Sequence, residues 1–206
     1  MRSYVRSYVT LEIPLTLRQL CSMTVGALSI YLPPYLQPRA DSFSRKAHSV
    51  MCRWLVWCSE EAILLADVVL EASNSLLTQS FNAGFHPGLC PQNNMTLNAD
   101  GFGVGWYGTR GAAIYRSTTP AWNNRNLREL CGSVESRCIF AHVRAATPGV
   151  SVVSEENCHP FRYGPLLFQH NGHVEGFSQI KRRLLAALRD DVFEWVDGTT
   201  DSQVRR

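Results

Sequence analysis

The chain has 206 residues, of which 45% are hydrophobic and 18% charged, and its formal net charge is +3. This length and composition are typical of one soluble globular domain with some residues to spare. Basic side chains outnumber acidic ones by six to two within residues 1–50, so the remaining residues are close to neutral. A near-neutral domain gives no indication of nucleic acid or of an anionic membrane as a partner.

Seven cysteines are present, an odd number, and no pair has the CxxC spacing. Several lie in apolar runs, as Cys138 does, which is typical of reduced thiols in a cytoplasmic protein rather than of a disulfide framework. A zinc site could draw on His86, Cys90, Cys158 and His159, but the paired spacing of zinc ligands is missing. We therefore expect no metal and no cofactor.

Residues 1–50 differ in character from the rest of the chain. Their apolar run, residues 20–32, stops at two prolines and is too short to span a bilayer. We interpret this segment as upstream sequence, with translation starting at Met51, and its acid-poor composition leaves an organelle transit segment as the alternative. The expected organisation is an extension over residues 1–50 that is not part of the fold and a folded domain over residues 51–206.

A glycine-rich stretch predicts a strand beside a site. Residues 101–107 carry glycine at each odd position up to 105, so one strand face is bare and the other is apolar. Trp106 stands where a dinucleotide-binding GxGxxG loop requires glycine, so such a loop is not predicted. A bare face lets another backbone or a ligand approach closely, and residues 111–117 are the expected hairpin partner.

Apolar spacing predicts the remaining elements. A first strand covers residues 53–58, and buried strands cover residues 138–143 and 165–170. Ser73 is the expected N-cap of a short helix, and an asparagine at 123 or 124 that of a second. The helix faces are Leu76, Leu77, Ser80 and Phe81, then Leu127, Leu130, Cys131 and Val134, then Phe177, Ile180, Leu184 and Leu188. Strand pairs that alternate with helix pairs predict an α+β fold with two layered sheets and helices outside.

The dipeptide Met51-Cys52 has the character of a protein's start. If Met51 is removed, Cys52 carries both a thiol and a free α-amine. An N-terminal amine can activate an adjacent nucleophile, and its pKa of ~7.7–8.0 suits proton transfer at neutral pH. The alternative, from this residue alone, is a small buried hydrophobe at the edge of a strand.

Three polar clusters lie at strand ends or beyond them, and each has two interpretations. Arg144 ends a buried strand and forms either a structural salt bridge or a bidentate clamp on a substrate carboxylate. Asn171 and Gly172 form either a turn or the two donors of an oxyanion hole. Asp201 is either a helix N-cap or a ligand for an ammonium group.

Taken together, these motifs resemble the class II glutamine amidotransferases of the N-terminal-nucleophile group. The motifs follow the family order from Met51 to the end of the chain. They are Met51-Cys52-Arg53-Trp54, Gln79-Ser80-Phe81, residues 98–105, residues 140–145, residues 157–161 and His170-Asn171-Gly172. The chain is most similar to stand-alone members such as a glutathione-degradation amidotransferase subunit and the ergothioneine-pathway γ-glutamyl hydrolase. The resemblance implies a four-layer αββα fold.

For function, the resemblance implies an enzyme that cleaves the γ-amide of glutamine or of a γ-glutamyl peptide through a cysteine thioester. The implied roles are Cys52 as nucleophile with its own α-amine as base, Arg144 and Thr147 for the substrate α-carboxylate, Asp201 for the α-ammonium group, and Asn171 and Gly172 for the oxyanion. The motif histidines His142, His159 and His170 would then be structural.

Two other hypotheses remain. One is a catalytically silent amidotransferase-like subunit that binds a partner, and the other is a Cys–His thiol hydrolase, which would need an imidazole base.

The sequence also departs from the family at Gln203, where relatives usually carry glutamate. Because the family continues into further strands beyond the position of Arg206, the expected domain is incomplete at its C-terminal end.

Overall fold

The computed structural model describes residues 7–8, 27–28, 52–83, 97–145, 152–172, 174 and 176–204. Two short strands, β1 (Ser7–Tyr8) and β2 (Ala27–Leu28), pair with each other. The other strands are β3 (Arg53–Leu64), β4 (Phe102–Gly108), β5 (Gly111–Ser117), β6 (Glu135–Val143), β7 (Phe161–Tyr163) and β8 (Leu166–Phe168). The helices are α1 (Leu76–Phe81), α2 (Arg125–Cys131), α3 (Phe177–Ala186) and α4 (Asp190–Phe193).

A four-stranded antiparallel sheet in the order β3-β6-β4-β5 forms the centre of the described fold. The strand predicted over residues 138–143 is confirmed as part of β6, which is paired on both sides and buried from Cys138 onward. The predicted hairpin partner is confirmed as β5, whose first residue, Gly111, has a φ of 106° after the tight turn. The fold is therefore mixed α/β with an antiparallel sheet.

One face of this sheet, here called the helical face, packs against α1 and α2. Its sheet residues are Phe102, Val104, Ile139, Ala141 and Val143, and the helices contribute Leu76, Leu77, Leu127 and Cys131. All of these side chains are buried, so this face forms a continuous apolar core.

The caps of the two helices were predicted unequally well. The predicted cap at Ser73 is wrong, because Ser75 has the extended backbone and its Oγ accepts the Thr78 N–H at 3.1 Å. At α2 the cap is Asn124, whose Oδ1 accepts the Leu127 N–H at 2.8 Å. Val134 lies beyond the end of α2, but its N–H still bonds the Leu130 carbonyl, which explains why it continues the helical spacing.

The opposite face, here called the glycine face, carries Gly103, Gly105, Cys138, Phe140 and His142. These residues share a face because Gly103 is paired with His142 and Gly105 with Phe140. A Cβ added at Gly103 would lie 2.2 Å from the His159 carbonyl oxygen. The close approach of another backbone to the bare strand face is thus confirmed, and the covering segment leads into β7 and β8.

The second sheet contains β7 and β8 in the described part of the chain. The strand predicted over residues 165–170 is shorter than expected, because the chain leaves the ladder after Phe168 and Gln169 donates to the Leu55 carbonyl at 2.9 Å. In α3, Ile180 is fully buried, as its apolar spacing predicted. None of the helices in the described ranges combines the length and apolarity that a bilayer crossing requires.

Candidate active site

Cys52 lies at one end of the central sheet, directly before β3. Because Arg53 is paired with Val143, Cys52 lies beside the two residues that follow β6. The Ala145 N–H donates to Cys52 Sγ at 3.3 Å, and the thiol donates to the Ala145 carbonyl at 3.6 Å. The thiol is half-buried and held by backbone groups.

The surroundings of Cys52 favour the protonated thiol. Burial raises the pKa of Cys52, while the Ala145 N–H and the Arg144 guanidinium oppose that shift. The charge of Asp100, a residue without an assigned role in the sequence interpretation, raises this pKa further. A thiol in this state needs a base before it can attack a carbonyl carbon.

Arg144 is nearly fully buried, with 4% of its surface exposed, and its position is fixed at both backbone and side chain. Its N–H donates to the Gly101 carbonyl at 2.8 Å, and its carbonyl accepts the Asp100 N–H at 3.1 Å. The guanidinium Nη1 donates to the Val152 carbonyl at 2.9 Å. Thr147, its predicted companion in carboxylate binding, lies outside the described residues.

Asn171 reaches Cys52 across 119 positions of sequence, and its Nδ2 donates to the Cys52 carbonyl at 2.9 Å. Arg53 Nη1 donates to the same carbonyl at 3.3 Å. Gly172, the other predicted oxyanion donor, follows Asn171 and is exposed. The structure therefore brings the predicted Asn-Gly pair next to the predicted nucleophile.

Asp201 lies in a turn rather than at a helix start, so its interpretation as a helix N-cap is wrong. Its Oδ2 accepts the Val174 N–H at 2.5 Å, and the neighbouring Ser202 Oγ lies 2.9 Å from His170 Nδ1. These contacts join the C-terminal turn to the segment that carries Asn171. Asp201 is thus held against the segment that carries Asn171.

His142 of the glycine face packs against His159 of the segment that covers this face. The rings of His142 and His159 stack with centroids 4.3 Å apart. Burial lowers the pKa of His142 to about 3 and that of His159 well below its usual value. Within the described ranges, no hydrogen bond joins an imidazole to the Cys52 thiol.

Asn157 has a role that the sequence interpretation missed. Its Nδ2 donates to the Val152 carbonyl at 3.0 Å, the same oxygen that Arg144 contacts, and also to Thr199 Oγ1 at 3.1 Å. The Thr199 N–H returns a bond to Asn157 Oδ1 at 2.8 Å. The only sequence signal was its place at the start of a family motif, since spacing does not reveal which carbonyl an amide contacts.

For the zinc alternative, His86 and Cys90 lie outside the described residues. Among the residues that the structure does describe, no group of three or more His, Cys, Asp or Glu side chains could hold a metal ion.

Comparison with known proteins extends these observations. Residues 73–205 match the family model for class II glutamine amidotransferases. The probable glutamine amidotransferase DUG3 of Saccharomyces cerevisiae is 39% identical over 74% of this chain and 43% of its own length. A gamma-glutamyl-hercynylcysteine sulfoxide hydrolase of Mycolicibacterium smegmatis is 34% identical over 61% of this chain and 52% of its own.

A solved structure of a glutamine aminotransferase class-II domain protein from Silicibacter pomeroyi matches 51% of this chain and 44% of its own at 37% identity, with a TM-score of 0.44. The chain spans about half the length of the curated relatives that it matches. The family model covers well over half of the chain, including β4 to β8 and the residues that surround Cys52. The chain belongs to the class II glutamine amidotransferase family.

Proposed function

We propose that this chain hydrolyses the γ-amide of glutamine or of a γ-glutamyl compound through a thioester on Cys52. The observation that carries the proposal is the meeting of the Cys52 thiol with the Ala145 N–H and of the Cys52 carbonyl with the Asn171 amide. The names of the relatives, an amidotransferase and a γ-glutamyl hydrolase, support this substrate class.

The base in this proposal is the α-amine of Cys52, freed when Met51 and the residues before it are removed. The raised pKa of the thiol means that a proton acceptor is required. An amine with a pKa of ~7.7–8.0 can accept that proton, whereas a peptide nitrogen has no basic lone pair. Burial lowers the pKa of His142 and of His159, so both rings accept a proton poorly, which favours the amine over the imidazole base of a Cys–His hydrolase.

Substrate binding would depend on two opposite charges. Arg144, fixed by the Val152 carbonyl, would donate to the α-carboxylate, with Thr147 beside it. Asp201, held near Asn171 through the Val174 N–H, would accept from the α-ammonium group. These groups recognise the amino-acid head that glutamine and γ-glutamyl peptides share, so the same site suits both.

The oxyanion would be stabilised by Asn171 Nδ2 and the Gly172 N–H. As the Cys52 sulfur attacks the γ-carbon, Asn171 would transfer its hydrogen bond from the Cys52 carbonyl to the new oxyanion, while Arg53 keeps that carbonyl paired. One such donor is worth roughly 3–4 kcal/mol in the transition state. The amine then leaves with the proton that the Cys52 α-amine had taken from the thiol, and water hydrolyses the thioester to release the γ-carboxylate.

The same proposal extends to the architecture. A sheet covered by helices on one face and by the segment leading to β7 and β8 on the other supports a four-layer αββα arrangement. Residues 52–206 would belong to the functional domain, with residues 1–51 removed, and this domain would act in the cytoplasm. A partner subunit that receives the released ammonia or product is part of this proposal.

The proposal is tested by comparing the full chain with a chain whose first residue is Cys52, using glutamine and a γ-glutamyl peptide as substrates. We expect turnover only with the free Cys52 amine, and loss of at least ~10³-fold in kcat for Cys52→Ala. Cys52→Ser keeps the residue size, and mass spectrometry should detect little or no acyl-enzyme in this variant. Full turnover by protein whose intact mass retains residues 1–51 would exclude the α-amine as base.

A further inference from the structure

A pair of thiols lies on the glycine face, away from the candidate active site. Cys58 of β3 is the direct cross-strand partner of Cys138 of β6. Their Sγ atoms are 3.1 Å apart and share a hydrogen bond, although both cysteines are free. Nothing in the mechanism proposed above uses either side chain.

The backbone geometry at this pair suits a covalent link. Directly opposed residues of an antiparallel pair have Cα atoms roughly 4.5–5.5 Å apart, within the ~4.4–6.8 Å range of disulfides. Both side chains project from the same face, where they pack with Val56, Tyr107 and Phe140. The regular register of β3 and β6 is interrupted after Cys58, so the pair occupies the last regular position before that irregularity.

The two thiols differ in exposure and in acidity. Cys58 is half-buried, whereas Cys138 retains only 3% exposure. The hydrogen bond with Cys138 lowers the pKa of Cys58, and the same bond together with burial raises the pKa of Cys138. The accessible sulfur is therefore the better nucleophile, and the buried sulfur lies next to it as a resolving thiol.

We propose that Cys58 and Cys138 form a dithiol site that a peroxide oxidises to a reversible cross-strand disulfide. The Cys58 thiolate attacks one peroxide oxygen, which gives a sulfenic acid and releases the other oxygen as water after protonation. The Cys138 sulfur then attacks the Cys58 sulfur, the S–O bond breaks, and the hydroxyl leaves as water with the Cys138 proton. Overall, two thiols lose two electrons and two protons, and the peroxide is reduced to two waters.

The link would join two strands that both lead to the candidate site. β3 begins directly after Cys52, and β6 ends directly before Arg144. A disulfide between Cys58 and Cys138 would join β3, the outer strand of the sheet within the described residues, covalently to β6. The site is chemically independent of the proposed hydrolysis, so its test does not require an active enzyme.

The test uses the reduced full chain, freed of reductant and treated with equimolar hydrogen peroxide. After denaturation and alkylation, peptide mapping should find a peptide containing Cys58 linked to one containing Cys138, and dithiothreitol should separate them. Cys131 should remain a thiol, because burial on the helical face raises its pKa to about 12. The same treatment in strong denaturant should give mixed pairings, since the strand register is then lost.

Two matched variants separate the roles of the sulfurs. In Cys138→Ser, Cys58 should accumulate as a sulfenic acid that dimedone traps. In Cys58→Ser, Cys138 should stay reduced at the same peroxide concentration. The proposal is overturned if Cys58 and Cys138 of the native wild type are both recovered as alkylated thiols while Cys52 is oxidised. It is also overturned if Cys58 links to a cysteine other than Cys138.

Discussion

The helical face and the glycine face are made by alternate residues of the same strands, yet they differ in chemistry. The helical face is closed by α1 and α2, and its buried sheet residues from β4 and β6 are apolar. The glycine face has two glycines in β4 and the buried His142, and the backbone at His159 lies directly against it. The difference shows how one sheet can provide stability on one side and close backbone approach beside a site on the other.

The candidate site lies where the glycine face ends. Val143 closes the ladder of β6, and the next two residues turn toward Cys52. Arg144 is buried there but donates to a carbonyl outside the sheet. Polar groups that would be costly in the helical core are thus satisfied at the sheet's end, where backbone amides and carbonyls are no longer paired within the ladder.

The largest expected effect tests how tightly the glycine face is covered. Gly103→Ala would place a methyl group 2.2 Å from the His159 carbonyl, and we expect a loss of about 3 kcal/mol in the free energy of unfolding. Gly108→Ala is the matched control in the same strand, because its nearest neighbour would be 3.9 Å away. It should change stability by about 0.5 kcal/mol or less. Equal denaturation midpoints for the two variants would refute the close covering of this face.

The second effect compares the buried Arg144 with the exposed Arg137. Arg144→Ala should raise KM for glutamine and for a γ-glutamyl peptide in parallel by about 10–100-fold, because a charged hydrogen-bonding group is worth roughly 1.5–3 kcal/mol. Arg137→Ala, an exposed position in β6, is the control and should leave KM unchanged. Steady-state kinetics, with thermal melts to verify folding, make the comparison. A raised KM for only one of the two substrates would contradict the shared binding role of Arg144.

The third effect concerns pH. Burial holds the pKa of His142 at about 3, below the ~6.5 of the unfolded chain, so the unfolded state takes up protons first as pH falls. Stability is therefore fully present above about pH 6.5 and declines toward about pH 3, by about 1.4 kcal/mol per pH unit for this histidine. His142→Gln should lower the slope of unfolding free energy against pH by that amount. An unchanged slope between about pH 6 and pH 4.5 would show that the ring already binds a proton in the folded state.

The comparison of the two faces also explains which elements were predictable. The period-two pattern in residues 101–107 predicts which face each side chain occupies, and the apolar run before Arg144 predicts a buried strand, so β4, β5 and β6 followed from sequence. The helix caps were harder, because Ser73 and Ser75 are chemically equivalent and only the backbone conformation selects one. The segment over residues 63–70 divides between the end of β3 and a helical turn, which apolar character alone does not predict.

The order of the family motifs, the alternation of the strands and the candidates Cys52, Arg144 and Asn171 can all be read from the sequence. Which of these groups come into contact follows from the three-dimensional packing. The contact between Cys52 and Ala145 spans 93 positions, and that between Cys52 and Asn171 spans 119. The physical reason is that propensity and periodicity act over a few neighbouring residues, whereas such contacts depend on strand register and on the packing that closes long loops.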